Sequence, residues 1–175
     1  MNTFLNRPDI KIHLCTSRFN NQTLAENKLG RMRMKKKAVY CNMGLIKNTE
    51  KEDYLFIIEL NNSENKIAGI AFVENILSEN VYRIYSDDNY NQPYYSGNHY
   101  KARENMNEKE IEFITKLEIT CFYGKKHLKR GNRIMKFPET IIDDYKKKDI
   151  DIMQNIKKLF VREPNGSLKP SLLLL

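Results

Sequence analysis

The first half of the chain consists of short apolar runs separated by polar segments, a pattern typical of β-strands. Runs at 11–15, 38–46 and 81–86 combine β-branched, aliphatic or aromatic residues with polar neighbours. Each run is close to the usual length of a strand and shorter than most helices. These runs therefore predict three separate strands.

Two further apolar runs, 53–60 and 67–77, predict a β-hairpin. A polar segment rich in Asn and Ser, NNSENK, joins them and favours a turn with an extended loop. The uninterrupted apolar sequence LFII in the first run predicts a central strand that is buried on both faces. Gly69 in the second run predicts a β-bulge or a close approach of another group to the backbone.

Three segments predict helices. Segment 20–36 has Thr23 as its predicted N-cap, with Glu26 three residues later at capping-box spacing, and Gly30 is expected to end its first part. Segment 107–124 has Asn107 as its predicted N-cap, although its final residues, LEITCFYG, also fit a strand. Segment 138–163 begins with proline, has apolar residues at helical spacing, and predicts one or two helices.

The chain of 175 residues has the size of one domain. We expect a single domain across residues 1–175, with a helical C-terminal extension at 140–175 that ends in a short apolar tail, SLLLL. The mixture of strands and helices predicts an α+β fold. Its sheet is expected to be small and twisted, mixed or antiparallel, and flanked by helices.

No contact with a membrane is predicted. The first fifteen residues lack the basic and apolar regions of a signal peptide. No apolar stretch of the sequence is long enough to cross a bilayer. The SLLLL tail is instead expected to cover a groove on this domain or on a partner, which allows self-association or binding to a second protein.

The balance of charged residues favours an anionic partner. Thirty Lys and Arg residues stand against 22 Asp and Glu, which gives a net charge of +8. A coding bias toward Lys, Asn and Ile is an alternative source of part of this charge. The net charge therefore does not identify the anion.

The cysteines predict neither a metal site nor a disulfide framework. Cys15, Cys41 and Cys121 lie far apart, and none has a second Cys or His at metal-ligand spacing. We expect three buried side chains in a reducing compartment. A nucleophilic pair of Cys15 or Cys121 with His99 is the alternative. No cofactor is predicted.

Two segments concentrate positive charge. Residues 28–37 carry six Lys or Arg residues in ten positions, and residues 122–138 carry six more beside Gly124 and Gly131. Such clusters neutralise phosphates, and glycines let backbone amides turn toward one. The alternatives are a solvated helix face for the first segment, and a structural loop or a nuclear-import signal for the second. The predicted phosphate-binding residues are Arg31, Arg33, Lys35, Lys36, Lys37, Lys125, Lys126, His127, Lys129 and Arg130.

Residues 81–100 contain six tyrosines interleaved with Asn and Gln. Aromatic rings in such a setting can stack on the bases of a single strand, and packing of a long loop onto the sheet is the alternative. The predicted stacking residues are Tyr90, Tyr94, Tyr95 and Tyr100. Asp87 and Asp88 would have to converge to hold a metal, and adjacent side chains usually point apart, so no metal site is assigned.

Three stretches resemble an uncharacterised protein family of giant nucleocytoplasmic large DNA viruses. They are IIELNNSENKIAGIAFVENI, YRIYSDDNYNQPYYSGNHYKAREN and GKKHLKRG, in the order in which related motifs occur in that family. The resemblance spans roughly residues 12–142. It implies a viral protein of the host cytoplasm or the virion, and it carries no established activity.

A more distant resemblance concerns the fold. The basic helix, the strand after it and the hairpin YLFIIELNN…KIAGIAFVENI resemble the small β-barrels of the PUA, EVE and YTH superfamily. Those proteins bind RNA or modified bases, so the resemblance implies a PUA-like barrel with RNA as its ligand. Many of them use Trp in an aromatic cage, and this chain has no Trp. A cage here would consist of Tyr or Phe.

These observations predict a non-enzymatic nucleic-acid-binding protein with a preference for RNA over DNA. Its basic segments would contact phosphates, and its tyrosines would stack on bases. The alternative is a structural or interaction component of a virus particle. An enzyme acting on nucleic acid would need clustered acids or a nucleophile beside its base, and the sequence shows neither.

Overall fold

The computed structural model describes residues 11–131 and 133–161. Its strands are β1 (Ile12–Phe19), β2 (Ala38–Cys41), β3 (Tyr54–Asn61), β4 (Lys66–Glu74), β5 (Tyr94–Gly97), β6 (His99–Ala102) and β7 (Met135–Lys136). Five of them form one sheet in the order β6-β4-β3-β1-β7, and β2 pairs with β5 in a separate small sheet. Strands β1 and β3 are parallel, and the other pairs are antiparallel.

The helices are α1 (Asn21–Arg33), α2 (Glu108–Phe122), α3 (Glu139–Lys146) and α4 (Ile152–Lys158). The combination of a mixed sheet with helices confirms the predicted α+β fold. The sheets do not close into a barrel within the described residues, so the expected PUA-like barrel is not formed by this part of the chain.

Local capping signals explain where the two longer helices begin. Asn20, rather than the predicted Thr23, caps α1: its side chain accepts from the Thr23 amide at 2.7 Å, and Thr23 takes the place in the capping box that was predicted for Glu26. Asn107 caps α2, as predicted, and Glu110 completes the box. Helix α1 continues through Gly30 to Arg33, so the prediction that this residue ends the first part of the helix is wrong. Gly30 instead packs closely against Ile84. Helix α2 likewise continues to Phe122, so the alternative strand at its end is wrong.

Strand β3 lies at the centre of the larger sheet and is buried on both faces, as LFII predicted. Phe56 and Ile58 face the core formed with α2, α3 and α4. Leu55 and Ile57 face a second core, which contains residues of α1 and of the small sheet. The alternation of side chains along one strand therefore supplies both cores.

The β3–β4 hairpin confirms both expectations for Gly69. The register shifts after Glu59, which pairs with Gly69, while Leu60 pairs with Ile67. One extra residue on β4 forms a bulge at this point. A Cβ atom at Gly69 would lie 2.3 Å from the hydroxyl oxygen of Tyr100, so the position is also a close approach.

Several strand predictions need correction. Strand β1 continues to Phe19 rather than ending at residue 15. Strand β2 ends at Cys41 rather than continuing to 46. Residues 81–86 are not a strand, and Val81 alone forms an isolated bridge there, to Pro93. The Asn91 side chain accepts from the amides of Ile84 and Tyr85 at 2.8 and 2.9 Å. A side chain thus satisfies the backbone donors that a neighbouring strand would otherwise satisfy.

The first part of the predicted C-terminal extension belongs to a shared core. Ile141 of α3 and Ile152 and Ile156 of α4 are buried in the same cluster as α2 and one face of the sheet. The SLLLL tail and residues 1–10, which make up most of the stretch used for the signal-peptide prediction, lie outside the described residues.

Candidate nucleic-acid interface

A cleft of about 490 Å³ opens where β1 ends and α1 begins. Strands β1 and β3 are parallel, so their carboxyl ends meet at this edge, where α/β proteins commonly bind ligands. The cleft also reaches the loop after residue 84 and the chain before β7. Its lining includes Ser17, Arg18, Phe19, Asn20, Thr23, Cys41, Asn62, Tyr85, Asp87, Asn89, Tyr90, Gly131 and Arg133.

Two half-buried arginines give the cleft a positive wall. Arg18 donates from Nε to the Leu128 carbonyl at 2.5 Å, and its Nη1 lies 3.5 Å from the Arg133 carbonyl oxygen. Within the described residues, neither Arg18 nor Arg133 forms an ion pair with a carboxylate. Burial lowers the pKa of Arg18, although a guanidinium remains charged at neutral pH. These charges are thus available to an anion.

Backbone geometry brings the second arginine to this wall. Gly131 has φ +118°, a backbone conformation that favours glycine. Arg133 itself has φ +66°. The Asn62 side chain also donates to the Lys129 carbonyl at 3.0 Å and ties the basic segment to the end of β3. This turn attaches the GKKHLKRG segment to the cleft.

An aromatic residue with an open surface forms part of a second wall. Tyr90 is 52% exposed, and its ring lies edge-on to Tyr85 with the centroids 6.0 Å apart. Asp87 holds the turn that carries Tyr90, because its Oδ1 accepts from the backbone and side-chain nitrogens of Asn89 at 2.9 Å each. The Tyr85 hydroxyl accepts from the buried Asn27 side chain at 2.9 Å. The wall is therefore anchored to α1.

The Cys41 thiol lies near both walls. Burial raises the pKa of the Cys41 thiol, and the positive charge of Arg133 lowers it by a smaller amount. Burial also raises the pKa of Cys15 and Cys121 to about 12 each. All three cysteines are free and buried, as the sequence predicted, and their thiols stay protonated at neutral pH.

The four tyrosines predicted to stack on bases differ in how far they are buried. Tyr90 lines the cleft and is open to a ligand. Tyr94 is half-buried against the second core. Tyr95 is fully buried and its hydroxyl donates to the Gly44 carbonyl at 3.3 Å, so it cannot stack on a base from the surface. Tyr100 is half-buried against the second core, and its hydroxyl donates to Glu59 at 2.7 Å. Packing, the alternative interpretation, describes Tyr95 and Tyr100.

The basic residues of α1 also divide into two groups. Arg31 is 5% exposed and forms an ion pair with the fully buried Glu59, so it is removed from the phosphate-binding set. The residues that follow remain exposed: Arg33, Lys35, Lys36 and Lys37. In the second segment Lys125, Lys126 and Arg130 are exposed, and His127 and Lys129 are half-buried.

The two exposed basic groups lie at opposite ends of α1. The cleft and the end of the second segment adjoin its first turn, and Lys35–Lys37 follow its last turn. The helix has 13 residues, which at about 1.5 Å each makes it roughly 20 Å long. One small anion cannot contact both groups, whereas a polymer can.

A buried ion pair holds α1 against the sheet. Arg31 of α1 pairs with Glu59 of β3, and Glu59 also accepts from the Tyr40 hydroxyl at 2.5 Å and the Tyr100 hydroxyl at 2.7 Å. The Arg31 guanidinium carbon lies 4.8 Å from the centroid of the Tyr100 ring. Burial is the largest influence on the Arg31 pKa and lowers it, but Glu59, Tyr40 and Tyr100 together outweigh burial and raise the pKa overall. The network fixes the helix that forms one side of the cleft.

Sequence reasoning missed Arg18, a half-buried cation of the cleft. The available signal was its position in SRFNN, at the end of a strand and directly before a helix cap. Residues in that position meet at the carboxyl edge of a sheet. The signal was weak because the strand was predicted to end at residue 15.

The described residues contain neither a metal-binding cluster nor a membrane-spanning helix. Residues 11–131 and 133–161 contain no group of three or more His, Cys, Asp or Glu side chains able to hold a metal ion. Asp88 instead lies 3.2 Å from Arg83 in an exposed ion pair. None of the helices in this part of the chain is long and apolar enough to span a membrane.

Comparison with protein-family models, curated proteins and solved structures finds no significant match to this chain. The geometry of the cleft and the positions of the charged side chains are therefore the basis on which a function is proposed.

Proposed function

We propose that the protein binds nucleic acid without catalysing a reaction, with single-stranded RNA as the preferred ligand. One observation carries this proposal. The cleft places the half-exposed ring of Tyr90 together with Arg18 and Arg133, two cations that have no carboxylate partner within the described residues. Aromatic rings stack on bases, and guanidinium groups bind phosphates.

The exposed lysines extend this surface beyond the cleft. Lys125, Lys126 and Arg130 precede the turn at Gly131, which lines the cleft. A second group, Lys35–Lys37, lies at the far end of α1. A backbone that carries one phosphate per nucleotide can contact groups about 20 Å apart, and a protein that meets several phosphates gains affinity from counterion release.

The position of the aromatic ring favours a single strand over a duplex. In a duplex the bases are stacked inside, and reaching a ring within a cleft requires a base to be flipped out at a cost of a few kcal/mol. In a single strand the bases are already accessible and can be splayed onto an aromatic side chain. Tyr90 therefore supports recognition of unpaired nucleotides.

Fluorescence anisotropy with labelled single- and double-stranded RNA and DNA tests the proposal. Wild type is compared with a variant in which Lys125, Lys126, Lys129 and Arg130 are all changed to Ala. A matched control removes four exposed charges outside both basic segments: Lys51, Lys109, Lys146 and Lys148. We expect tight binding of single-stranded RNA by wild type and by the control, and a loss of at least tenfold in the first variant. Equal loss in both variants would reduce the effect to net charge and contradict a specific interface.

A further inference from the structure

The contents of the cleft point to a more specific ligand than a polyanion. Its volume of about 490 Å³ lies within the usual range for small-molecule sites. It contains cations, a carboxylate and an aromatic ring, which match the three chemically different parts of a nucleotide. A basic surface that met only the phosphate backbone would need neither the carboxylate nor the ring.

The arginine wall suits the phosphate. Two donors of Arg18, Nε and Nη1, are directed at backbone carbonyls, and these contacts fix the plane of the guanidinium. Its third nitrogen, Nη2, has no hydrogen-bond partner among residues 11–131 and 133–161. A fixed guanidinium with a free donor, beside Arg133, is preorganised for phosphate oxygens.

Asp87 suits the sugar. One carboxylate oxygen accepts from both nitrogens of Asn89, and this leaves the other oxygen without a partner within the described residues. A carboxylate repels phosphate but accepts hydrogen bonds from ribose hydroxyls, as in dinucleotide-binding folds. The phosphate is thereby directed toward Arg18 and Arg133, and the ribose toward Asp87.

We infer that the cleft holds one ribonucleotide unit, with its phosphate on Arg18 and Arg133, its ribose hydroxyls on Asp87 and its base on Tyr90. This inference rests on the proposed function and specifies how one nucleotide of a strand is held. The same chemistry would bind a free nucleoside monophosphate, so the test includes both sources. The 2′-hydroxyl contact supplies the preference for RNA.

The test is isothermal titration with AMP, GMP, CMP and UMP, and with dAMP, adenosine and inorganic phosphate. We expect at least one ribonucleoside monophosphate to bind about tenfold or more tightly than its nucleoside or phosphate alone. Arg133→Gln keeps a similar backbone preference at φ +66° and should weaken binding about tenfold or more. Tyr90→Ala should weaken it roughly 5- to 100-fold.

Matched controls use residues outside the cleft. Lys148→Ala removes an exposed cation between α3 and α4, and Tyr123→Ala removes a tyrosine that is 59% exposed. Both should leave the affinity for the monophosphate unchanged. Asp87→Asn should reduce the preference for AMP over dAMP, which a purely structural role of Asp87 would not change. Circular dichroism verifies that each variant is folded.

The outcomes separate this inference from the proposed function. Nucleotide affinity no better than that for phosphate, or unaltered by Tyr90→Ala, overturns the ribonucleotide site. If labelled single-stranded RNA still binds through the 125–130 segment in that case, the proposed function stands. If neither monophosphates nor oligonucleotides bind, both fail. Binding of monophosphates without oligonucleotides overturns the proposed function and assigns the cleft to a free nucleotide.

Discussion

Replacing Arg31 with Met should destabilise the protein strongly, because it leaves the Glu59 charge buried without its cation. Glu59 has no exposed surface, and its remaining partners are the hydroxyls of Tyr40 and Tyr100. Breaking a buried ion pair from one side costs about 3–5 kcal/mol. That is a large share of the roughly 5–15 kcal/mol that stabilises a typical domain.

The same variant should also have a lower melting temperature. For a chain of this size a loss of 1 kcal/mol lowers Tm by about 2–4 °C. Arg31→Met should therefore lower Tm by roughly 6–20 °C. Urea denaturation followed by circular dichroism measures the change in the free energy of unfolding, provided that the m-value stays constant.

Two control variants test whether the loss of stability comes from the buried Glu59 charge. The double variant Arg31→Met with Glu59→Gln removes both charges while the Gln oxygen still accepts from the tyrosines, and it should recover much of the loss. Lys147→Met breaks an exposed ion pair with Asp144 and should have almost no effect. A loss below about 1 kcal/mol in Arg31→Met, or a double variant no more stable than the single one, would refute the reasoning.

Three other properties are predicted from the structure. Gly69→Ala should destabilise the protein by about 1–3 kcal/mol in thermal unfolding, because the new Cβ meets the hydroxyl of Tyr100. Gly44→Ala should be nearly neutral because nothing lies within 4 Å of its Cβ, and similar values for the two variants would contradict the close approach at Gly69. The three buried thiols, two with pKa values of about 12, should react with a thiol reagent at pH 8 only after urea unfolds the protein, and rapid labelling of the native state would contradict their burial. Burial tends to raise the pKa of Asp53, but hydrogen bonds from the Glu50 amide and His13 lower it overall, so the ionised Asp53 stabilises the fold above the ordinary pKa of 3.8 and loses this effect as the pH falls through the lower native pKa. The difference in the free energy of unfolding between wild type and Asp53→Asn should therefore shrink over that acid range, and a constant difference would contradict this prediction.

Local signals allowed much of the fold to be predicted. The β3–β4 hairpin followed from two apolar runs with a turn between them, and the start of α2 followed from Asn107. Such features depend on residues close together in the sequence. The false strand at 81–86 arose because its alternation of apolar and polar residues is real, but the backbone there bonds to the side chain of Asn91.

The candidate site was harder to predict because long-range contacts decide which side chains are exposed. Arg31 lies within a basic run that looks like a solvated helix face, and its partner Glu59 is 28 positions away. Tyr95 is buried because β5 pairs with β2. Arg18 and Tyr90 meet in one cleft although neither the composition nor the spacing of the sequence links them. The residue types indicated a site for anions and aromatic stacking, but which residues line the cleft is decided by the fold.

The salt dependence of binding to single-stranded RNA tests the central claim most directly. Each phosphate contact on a single strand contributes about 0.7 to the slope of log affinity against log salt concentration. If Lys125, Lys126, Lys129 and Arg130 each contact a phosphate, changing all four to Ala should reduce the magnitude of that slope by about 3. We predict a steep slope for wild type and this reduction in the variant. An affinity that is independent of salt, or a slope that is the same in both proteins, would contradict a nucleic-acid interface formed by this segment.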